Sequence, residues 1–148
     1  MFDRILVPVD GSDASNAAVD VAVSLAADQK AMLHFVTVVE SSLGILETVG
    51  RATELPNPLA IAEAHRKVVS DAAAMAEKQG SSADYQVVEG SDLHVGECIA
   101  QAAAEWRADL IVLGTHGRRG VNRLVLGSVT EVVIRHSDAP VLAVPASI

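Results

Sequence analysis

Residues 114–130 read Gly-Thr-His-Gly-Arg-Arg-Gly-Val-Asn-Arg-Leu-Val-Leu-Gly-Ser-Val-Thr, and they indicate both a fold class and a site. They follow the apolar run 109–113, which predicts a buried strand, and lead into the amphipathic segment 129–136, which predicts a helix. Glycines allow a positive φ and a close approach of the backbone to a ligand. A strand, a glycine loop and a helix N-terminus in this order are typical of a phosphate-binding site.

Two standard phosphate-binding motifs do not match this loop. A P-loop requires Gly-x-x-x-x-Gly-Lys-Ser/Thr, and residues 114–130 contain no lysine. A dinucleotide fingerprint requires Gly-x-Gly-x-x-Gly after the first strand, where this chain has residues 10–13, Asp-Gly-Ser-Asp. The spacing that is present is Gly-x2-Gly-x9-Gly-Ser, formed by Gly114, Gly117, Gly127 and Ser128. A glycine-rich turn without a ligand is the alternative that spacing alone leaves open.

Composition limits the class of protein. The chain has 148 residues, 50% of them apolar, which predicts a single domain, 1–148, with a substantial core. A formal net charge of −8 argues against nucleic-acid binding, although Arg118, Arg119 and Arg123 lie within the glycine loop. The single cysteine, Cys98, fits a reducing compartment and core packing. The N-terminus lacks a signal-peptide pattern and no apolar run is long enough for a membrane helix, so we expect a cytoplasmic protein that is not membrane-embedded.

Strand-like and helix-like segments alternate along the chain. Apolar runs that predict strands lie at 4–10, 31–39, 85–88, 109–113 and 139–145. Helical spacing lies between them, with an N-cap expected at Ser91 or Asp92 for the third helix and a helix stop at Gly80. Pro8 cannot donate a ladder hydrogen bond, so the first paired strand should end there. The alternation predicts an α/β fold, an open, doubly wound, five-stranded and mainly parallel sheet with helices on both faces.

Residues 40–58 interrupt this pattern. The segment contains two glycines and two prolines, and no apolar period persists through it. A connection of this length predicts either a functional lid or contact segment, or a disordered excursion.

Over essentially its whole length the chain resembles the ATP-binding branch of the universal stress protein family. The marks are the glycine signature and three further segments: Ile5-Leu6-Val7-Pro8-Val9-Asp10, Leu33-His34-Phe35-Val36 and Ala139-Pro140-Val141-Leu142-Ala143-Val144. The resemblance implies an adenine nucleotide alpha hydrolase-like fold. It also implies that strands one and four are neighbours, so that Asp10 and the glycine loop face one crevice.

The resemblance further implies how ATP would bind. Pro8 and Asp10 would border the adenine and ribose, and the main chain around Phe35 would hydrogen-bond the base edge, although the family commonly has a smaller β-branched residue there. Leu113 and Gly114 would lie against the ribose. The phosphate contacts would come from Gly117, Gly127, Ser128, Val129 and Thr130. A Mg²⁺ or Mn²⁺ ion would be held mainly by the phosphates, not by protein side chains.

The function that the resemblance implies is a nucleotide-dependent regulator in the stress response. It would act on a protein partner, which in some family members is a membrane transporter, and it would not be an enzyme. The resemblance also implies a homodimer, or a higher oligomer, through residues Val141 to Val144, since an edge strand offers unpaired backbone groups to a two-fold mate. A monomer with a buried edge is the alternative.

Two other functions would each need a specific set of residues. Slow ATP hydrolysis needs a group that orients water and a cation that neutralises charge, and in the loop His116 with Arg118 or Arg119 are the candidates. A receiver-like phosphorylation switch needs an acidic cluster after strand one and an aspartate after strand three. Asp10 begins such a cluster, but the residues after the third strand match poorly. The five histidines lack the spacing of a zinc site.

Overall fold

The computed structural model describes residues 1–40, 58–90, 93–115 and 126–146. Its strands are β1 (Arg4–Pro8), β2 (Met32–Glu40), β3 (Ser82–Gly90), β4 (Leu110–Gly114) and β5 (Val141–Val144). They form one sheet in the order β3-β2-β1-β4-β5. Every pairing among these described strands is parallel. The predicted five-stranded sheet is confirmed, with β4 beside β1 and β5 at one edge.

Four helices of the described part of the chain cover the two faces of this sheet: α1 (Asp13–Gln29), α2 (Pro58–Lys78), α3 (Val95–Trp106) and α4 (Ser128–His136). The buried side chains of α1 and α2 share one core with alternate residues of β1 and β2. Those of α3 and α4 form a second core with the remaining inward residues. The predicted helices on both faces are therefore confirmed. None of the helical residues that the structure describes forms a segment long and apolar enough to cross a membrane.

Local signals explain most of the element ends. β1 ends at Pro8 as predicted, because proline has no N–H for the ladder. α1 begins at Ser12, whose side chain accepts a hydrogen bond from the Ser15 N–H. Gly80 follows α2 with φ of +90°, the conformation that favours glycine at a helix end.

Two predicted boundaries were wrong. The N-cap of α3 is His94, whose ring Nδ1 accepts from the Gly96 N–H at 3.0 Å, not Ser91 or Asp92, which lie outside the described residues. Neutral imidazole carries one acceptor nitrogen, so it can replace the usual cap oxygen. β3 spans nine residues where four were predicted, since exposed Asp84 and Glu89, on either side of the predicted run, break its apolar pattern at the sheet edge.

The chain reverses its direction of winding between β1 and β4. From β1 the chain crosses to β2 on one side, and from β4 it crosses to β5 on the other. The loops that leave β1 and β4 therefore lead to helices on opposite faces. In open α/β sheets this arrangement leaves a crevice beyond the carboxyl ends of the two strands, where ligands bind.

Candidate functional site

The turn after β1 forms one wall of this crevice. Gly11 adopts φ of +81°, which lets the chain fold back from the strand into α1. The Asp10 carboxylate accepts a hydrogen bond from the Ser12 N–H at 2.9 Å, and the Asp10 N–H donates to the buried Ser15 hydroxyl at 3.1 Å. Both ends of Asp10 are thus held by the turn. Its carboxylate has a defined orientation at the carboxyl end of β1.

Gly114 brings the end of β4 against the start of α1. A Cβ atom at this position would lie 2.7 Å from the Ala14 carbonyl carbon and 2.9 Å from the Ala14 oxygen. Main-chain atoms cannot yield as a flexible side chain can, so a larger residue would force the two elements apart. The glycine at this position therefore has a packing role, in addition to the ribose contact that the resemblance implies.

The N-terminus of α4 forms the opposite wall. Its N-cap is Gly127, which has no side chain and so makes no side-chain cap hydrogen bond. The Gly127 N–H donates to the Thr115 carbonyl at 2.8 Å, which joins the helix start to the residue after β4. The N–H groups of an α-helical first turn have no acceptor within the helix. Those of Ser128, Val129 and Thr130 are accordingly suited to an anion, helped by the helix dipole.

Thr130 is the polar side chain most deeply buried near this helix start, with 2% of its surface exposed. Its hydroxyl donates to the Gly114 carbonyl at 3.0 Å and lies 3.4 Å from the Thr115 carbonyl. By contrast, Ser128 is exposed and Val129 is half-buried. The three residues thus differ in what their side chains do, although all three contribute first-turn N–H groups.

On β2, Val38 presents main-chain groups to the crevice and Phe35 does not. The Val9 N–H donates to the Val36 carbonyl at 2.8 Å, so the main-chain groups of Val36 face β1. These groups alternate in direction along a strand. Those of Phe35 therefore face β3, and its side chain is fully buried in the core. Those of Val38 face the space that opens where β1 has ended at Pro8.

The structure brings together most of the residues predicted for the site. Pro8, Asp10, Leu113 and Gly114 end or follow the two central strands, and Gly127 to Thr130 begin α4. Leu113 is 3% exposed, and its main-chain groups face β5, as those of Ile111 and Thr115 do. Gly117 and the loop arginines lie outside the described residues, as does His116.

Sequence reasoning missed three residues around this crevice. Ala14 and Ser15 fix the α1 side, and Val38 supplies the main chain on β2. A signal for Ser15 was present, because serines at 12 and 15 have the spacing of an N-cap and its partner. No local pattern indicated the other two, since both depend on which strands and helices become neighbours.

The donor groups at the crevice suit an anion and not a bare metal ion. Among the described residues, no group of three or more histidine, cysteine or acidic side chains is placed to hold a metal. The described crevice combines backbone N–H donors of α4, which a cation cannot use, with the Asp10 carboxylate, which alone falls short of the six or more oxygens that Mg²⁺ or Ca²⁺ takes. A bound phosphate would bring further oxygens for a divalent ion.

Cys98 lies on the buried side of α3. Its side chain is 5% exposed, as the prediction of core packing requires. Burial raises the pKa of the Cys98 thiol above its ordinary 9.0, and the negative charge of Glu97 raises it further. The thiol is therefore protonated at neutral pH and poorly suited to nucleophilic chemistry.

A second polar cluster lies at the opposite, amino-terminal end of the sheet. The Arg4 guanidinium stacks 4.0 Å over the Trp106 ring, and it donates to the Trp106 carbonyl from Nε at 2.9 Å. The His34 ring stacks on the same indole with centroids 4.8 Å apart. The His34 Nδ1 also hydrogen-bonds to the Asp84 carboxylate. This cluster fastens the end of α3 to the sheet.

The strand order and the crevice at the switch point define the class, a doubly wound α/β protein with a candidate ligand site beyond the ends of β1 and β4. The family profile of the universal stress proteins matches residues 1–145 of this chain. The chain belongs to the universal stress protein family.

Relatives agree with this assignment over nearly the whole length. The universal stress protein MJ0531 of Methanocaldococcus jannaschii is 33% identical over 144 residues, which cover 97% of this chain and 82% of that protein. The solved structure of MJ0577 from the same organism superposes with a TM-score of 0.81 at 25% identity, covering 100% of this chain and 99% of that one. A universal stress protein solved in complex with cAMP gives a TM-score of 0.70 at 27% identity, covering 99% and 98%.

Proposed function

We propose that this protein binds ATP in the crevice between β1 and β4 and acts as a nucleotide-dependent regulatory module in the stress response. The observation that carries the proposal is the first turn of α4, which starts at Gly127 without a cap from that residue's side chain and follows β4, the neighbour of the strand that ends beside Asp10. An adenine nucleotide offers a matching anion in its phosphates, and ribose hydroxyls beside them. The similar universal stress protein in complex with cAMP supports an adenine nucleotide as the ligand class.

Each part of the nucleotide has a matching group in this proposal. The N–H and carbonyl of Val38 pair with the edge of the base, and the half-buried Pro8 borders it. The Asp10 carboxylate accepts hydrogen bonds from the ribose hydroxyls, since an ionised carboxylate is an acceptor. The phosphates bind the first-turn N–H groups of α4, together with Gly117 of the loop. Mg²⁺ or Mn²⁺ accompanies the nucleotide and is bound by the phosphate oxygens.

Binding, and not catalysis, is the function that the described residues favour. ATP hydrolysis needs a group that orients the attacking water. Asp10 is the first carboxylate that follows β1, at the crevice. Its Oδ1 atom already accepts a hydrogen bond from the Ser12 N–H. The regulatory effect would then come from different affinities of ATP for two arrangements of the loop. A partner protein in the cytoplasm would read that difference.

We also place a homodimer contact at β5 in this proposal. β5 is an edge strand, and Leu142 on it is 39% exposed. Ile134 of the neighbouring helix α4 is 47% exposed. An edge with unpaired backbone groups and apolar side chains fits pairing with the same edge of a second copy.

A pair of substitutions at the N-cap of α4 tests the nucleotide site. Gly127 has φ of −60°, which other residues adopt without strain, so Gly127→Asp and Gly127→Asn should both fold. Either side chain stabilises a helix N-terminus more than glycine does, by a few tenths of a kcal/mol. Only aspartate adds a negative charge beside the phosphates. We expect Gly127→Asp to lose Mg-ATP binding in calorimetry, while Gly127→Asn, the matched neutral control, retains a larger share of the affinity.

The wild-type protein provides the direct measurement. Denaturing the purified protein and identifying released small molecules by absorbance and mass should yield ATP, and calorimetry on the emptied protein should show that it binds again. Release of ADP, with phosphate formed on turnover, would instead favour a slow hydrolase. A wild type that ignores Mg-ATP, or Asp and Asn variants that bind it equally well, would contradict the proposed site.

A further inference from the structure

The Thr130 hydroxyl has one proton to donate, and the structure shows where that proton goes. It is donated to the Gly114 carbonyl at 3.0 Å, inside an environment that leaves the residue 2% exposed. Phosphate oxygens are hydrogen-bond acceptors, so a side chain that binds them must donate. The hydroxyl cannot donate to a phosphate without giving up its hydrogen bond to the Gly114 carbonyl.

The Gly114 carbonyl lies at the carboxyl end of β4, where the crevice begins. The N–H groups of Ile111 and Thr115 donate to carbonyls of the β5 side, at 2.9 Å each, so odd-numbered residues of β4 face β5. The main-chain groups of Gly114 therefore face the β1 side. β1 pairs with β4 only at Leu110 and Ile111, so the Gly114 carbonyl extends beyond the described pairing. Thr130 supplies the hydrogen bond that β1 does not.

We infer that Thr130 is a positioning residue, whose hydroxyl fastens the first turn of α4 to the end of β4 and so aims the first-turn N–H groups at the phosphates. The inference rests on the proposed function and deepens it. The Gly127 N–H to the Thr115 carbonyl, at 2.8 Å, is the main-chain tie at the same junction. Thr130 adds the side-chain tie one turn further along the helix. Only its backbone N–H remains to contact a ligand.

The ligand itself separates positioning from general stability. ATP uses the first turn of α4, whereas adenosine, which has no phosphate, does not. Thr130→Val removes the hydroxyl and nearly preserves the shape, so it should weaken ATP binding about tenfold, as a lost buried hydrogen bond of about 1.4 kcal/mol implies. Adenosine affinity should change by less than about twofold, which is within about 0.4 kcal/mol. Thr130→Ser keeps the donor and should restore most of the ATP affinity.

A second hydroxyl on the same helix provides the control. Ser137, at the C-terminal end of α4, donates to the Ala139 carbonyl at 3.0 Å. Ser137→Ala removes a hydroxyl hydrogen bond far from the first turn, so the ratio of ATP to adenosine affinity should remain that of the wild type. Thermal melts confirm that each variant is folded. Thr130→Ala replaces Thr130→Val in the comparison if the valine variant does not fold.

Three results would overturn the inference. In the first, Thr130→Val binds ATP as tightly as the wild type. In the second, the variant loses ATP and adenosine equally, which means that the hydroxyl only stabilises the domain. In the third, the wild type binds adenosine and ATP with equal affinity, so that α4 does not contact the phosphates. If the wild-type protein binds neither ATP nor adenosine, that result rejects the proposed function itself, and no variant is needed to reach it.

Discussion

Replacing Gly114 by alanine adds a single methyl group at the closest approach in the crevice. The new Cβ would lie 2.7 Å from the Ala14 carbonyl carbon, 2.8 Å from the Ala14 Cβ and 2.9 Å from the Ala14 oxygen. Favourable contacts between carbon atoms lie at about 3.5–4.0 Å. The start of α1 must therefore move away from β4 by roughly 1 Å, given the same contact range.

Overpacking of this kind costs about 1–3 kcal/mol. A domain of this size loses about 2–4 °C in Tm for each kcal/mol, so we expect Gly114→Ala to lower Tm by roughly 2–12 °C. Gly114 lies in a β-strand and has no positive φ, so backbone strain adds nothing to this figure. The displacement also moves Ser15, whose hydroxyl accepts from the Asp10 N–H, and Ser12, whose N–H holds the Asp10 carboxylate. Calorimetry should therefore show weaker Mg-ATP binding as well as the lower Tm.

Ala14→Gly tests which atoms cause the effect. It removes only the 2.8 Å contact and leaves the two contacts with main-chain atoms. Glycine in a helix also costs up to about 1 kcal/mol. The double variant should therefore melt no higher than Gly114→Ala alone. The reasoning is refuted by a Gly114→Ala protein as stable as the wild type, or by a double variant that recovers wild-type stability.

Three further outcomes can be checked on the same protein. Arg4→Met removes the cation–π contact and the hydrogen bonds to Trp106. Urea titration should therefore show a free energy of unfolding lower by about 1–3 kcal/mol, with a shift in the fluorescence of this single tryptophan. Unchanged emission and stability would contradict that contact. Because the pKa of Cys98 is raised in the native state, the protonated thiol contributes to the free energy of unfolding. This contribution is fully present below the ordinary pKa and declines as the pH rises past about 9.0. The difference in the free energy of unfolding between wild type and Cys98→Ala should therefore remain constant below that pH and change above it. Leu142→Lys on the β5 edge should convert the proposed dimer into a monomer in sedimentation, and a variant that sediments as the wild type does would remove β5 from the interface.

Sequence alone predicted the sheet because burial leaves a direct pattern. β1 and β4 are covered on both faces, so they read as continuous apolar runs. Pro8 marked the end of pairing through its missing N–H. The glycine spacing indicated the loop between β4 and α4, although the loop itself, with Gly117, lies outside the described residues.

Features that depend on neighbours far along the chain were not predictable. Phe35 was expected to lie at the base edge, but the direction of its main-chain groups depends on the register with β1, which no local pattern encodes. The contact between Gly114 and Ala14 joins residues 100 positions apart. The Arg4 hydrogen bonds to Trp106 span 102 positions. Sequence could show that these residues were unusual, but not what they would touch.

The helix caps show how a chain with a net charge of −8 can hold an anion. The first turn of α1 is capped by the Ser12 hydroxyl, and that of α3 by the His94 ring. At α4 the cap residue is Gly127, which has no side chain to occupy the first-turn N–H groups. Long-range attraction cannot come from an acidic protein, so binding must depend on donors within hydrogen-bond distance and on the local helix dipole. A side-chain cap at α4 would compete for those donors. Gly127 supplies no such cap, and the Thr130 hydroxyl fixes the helix start to the end of β4.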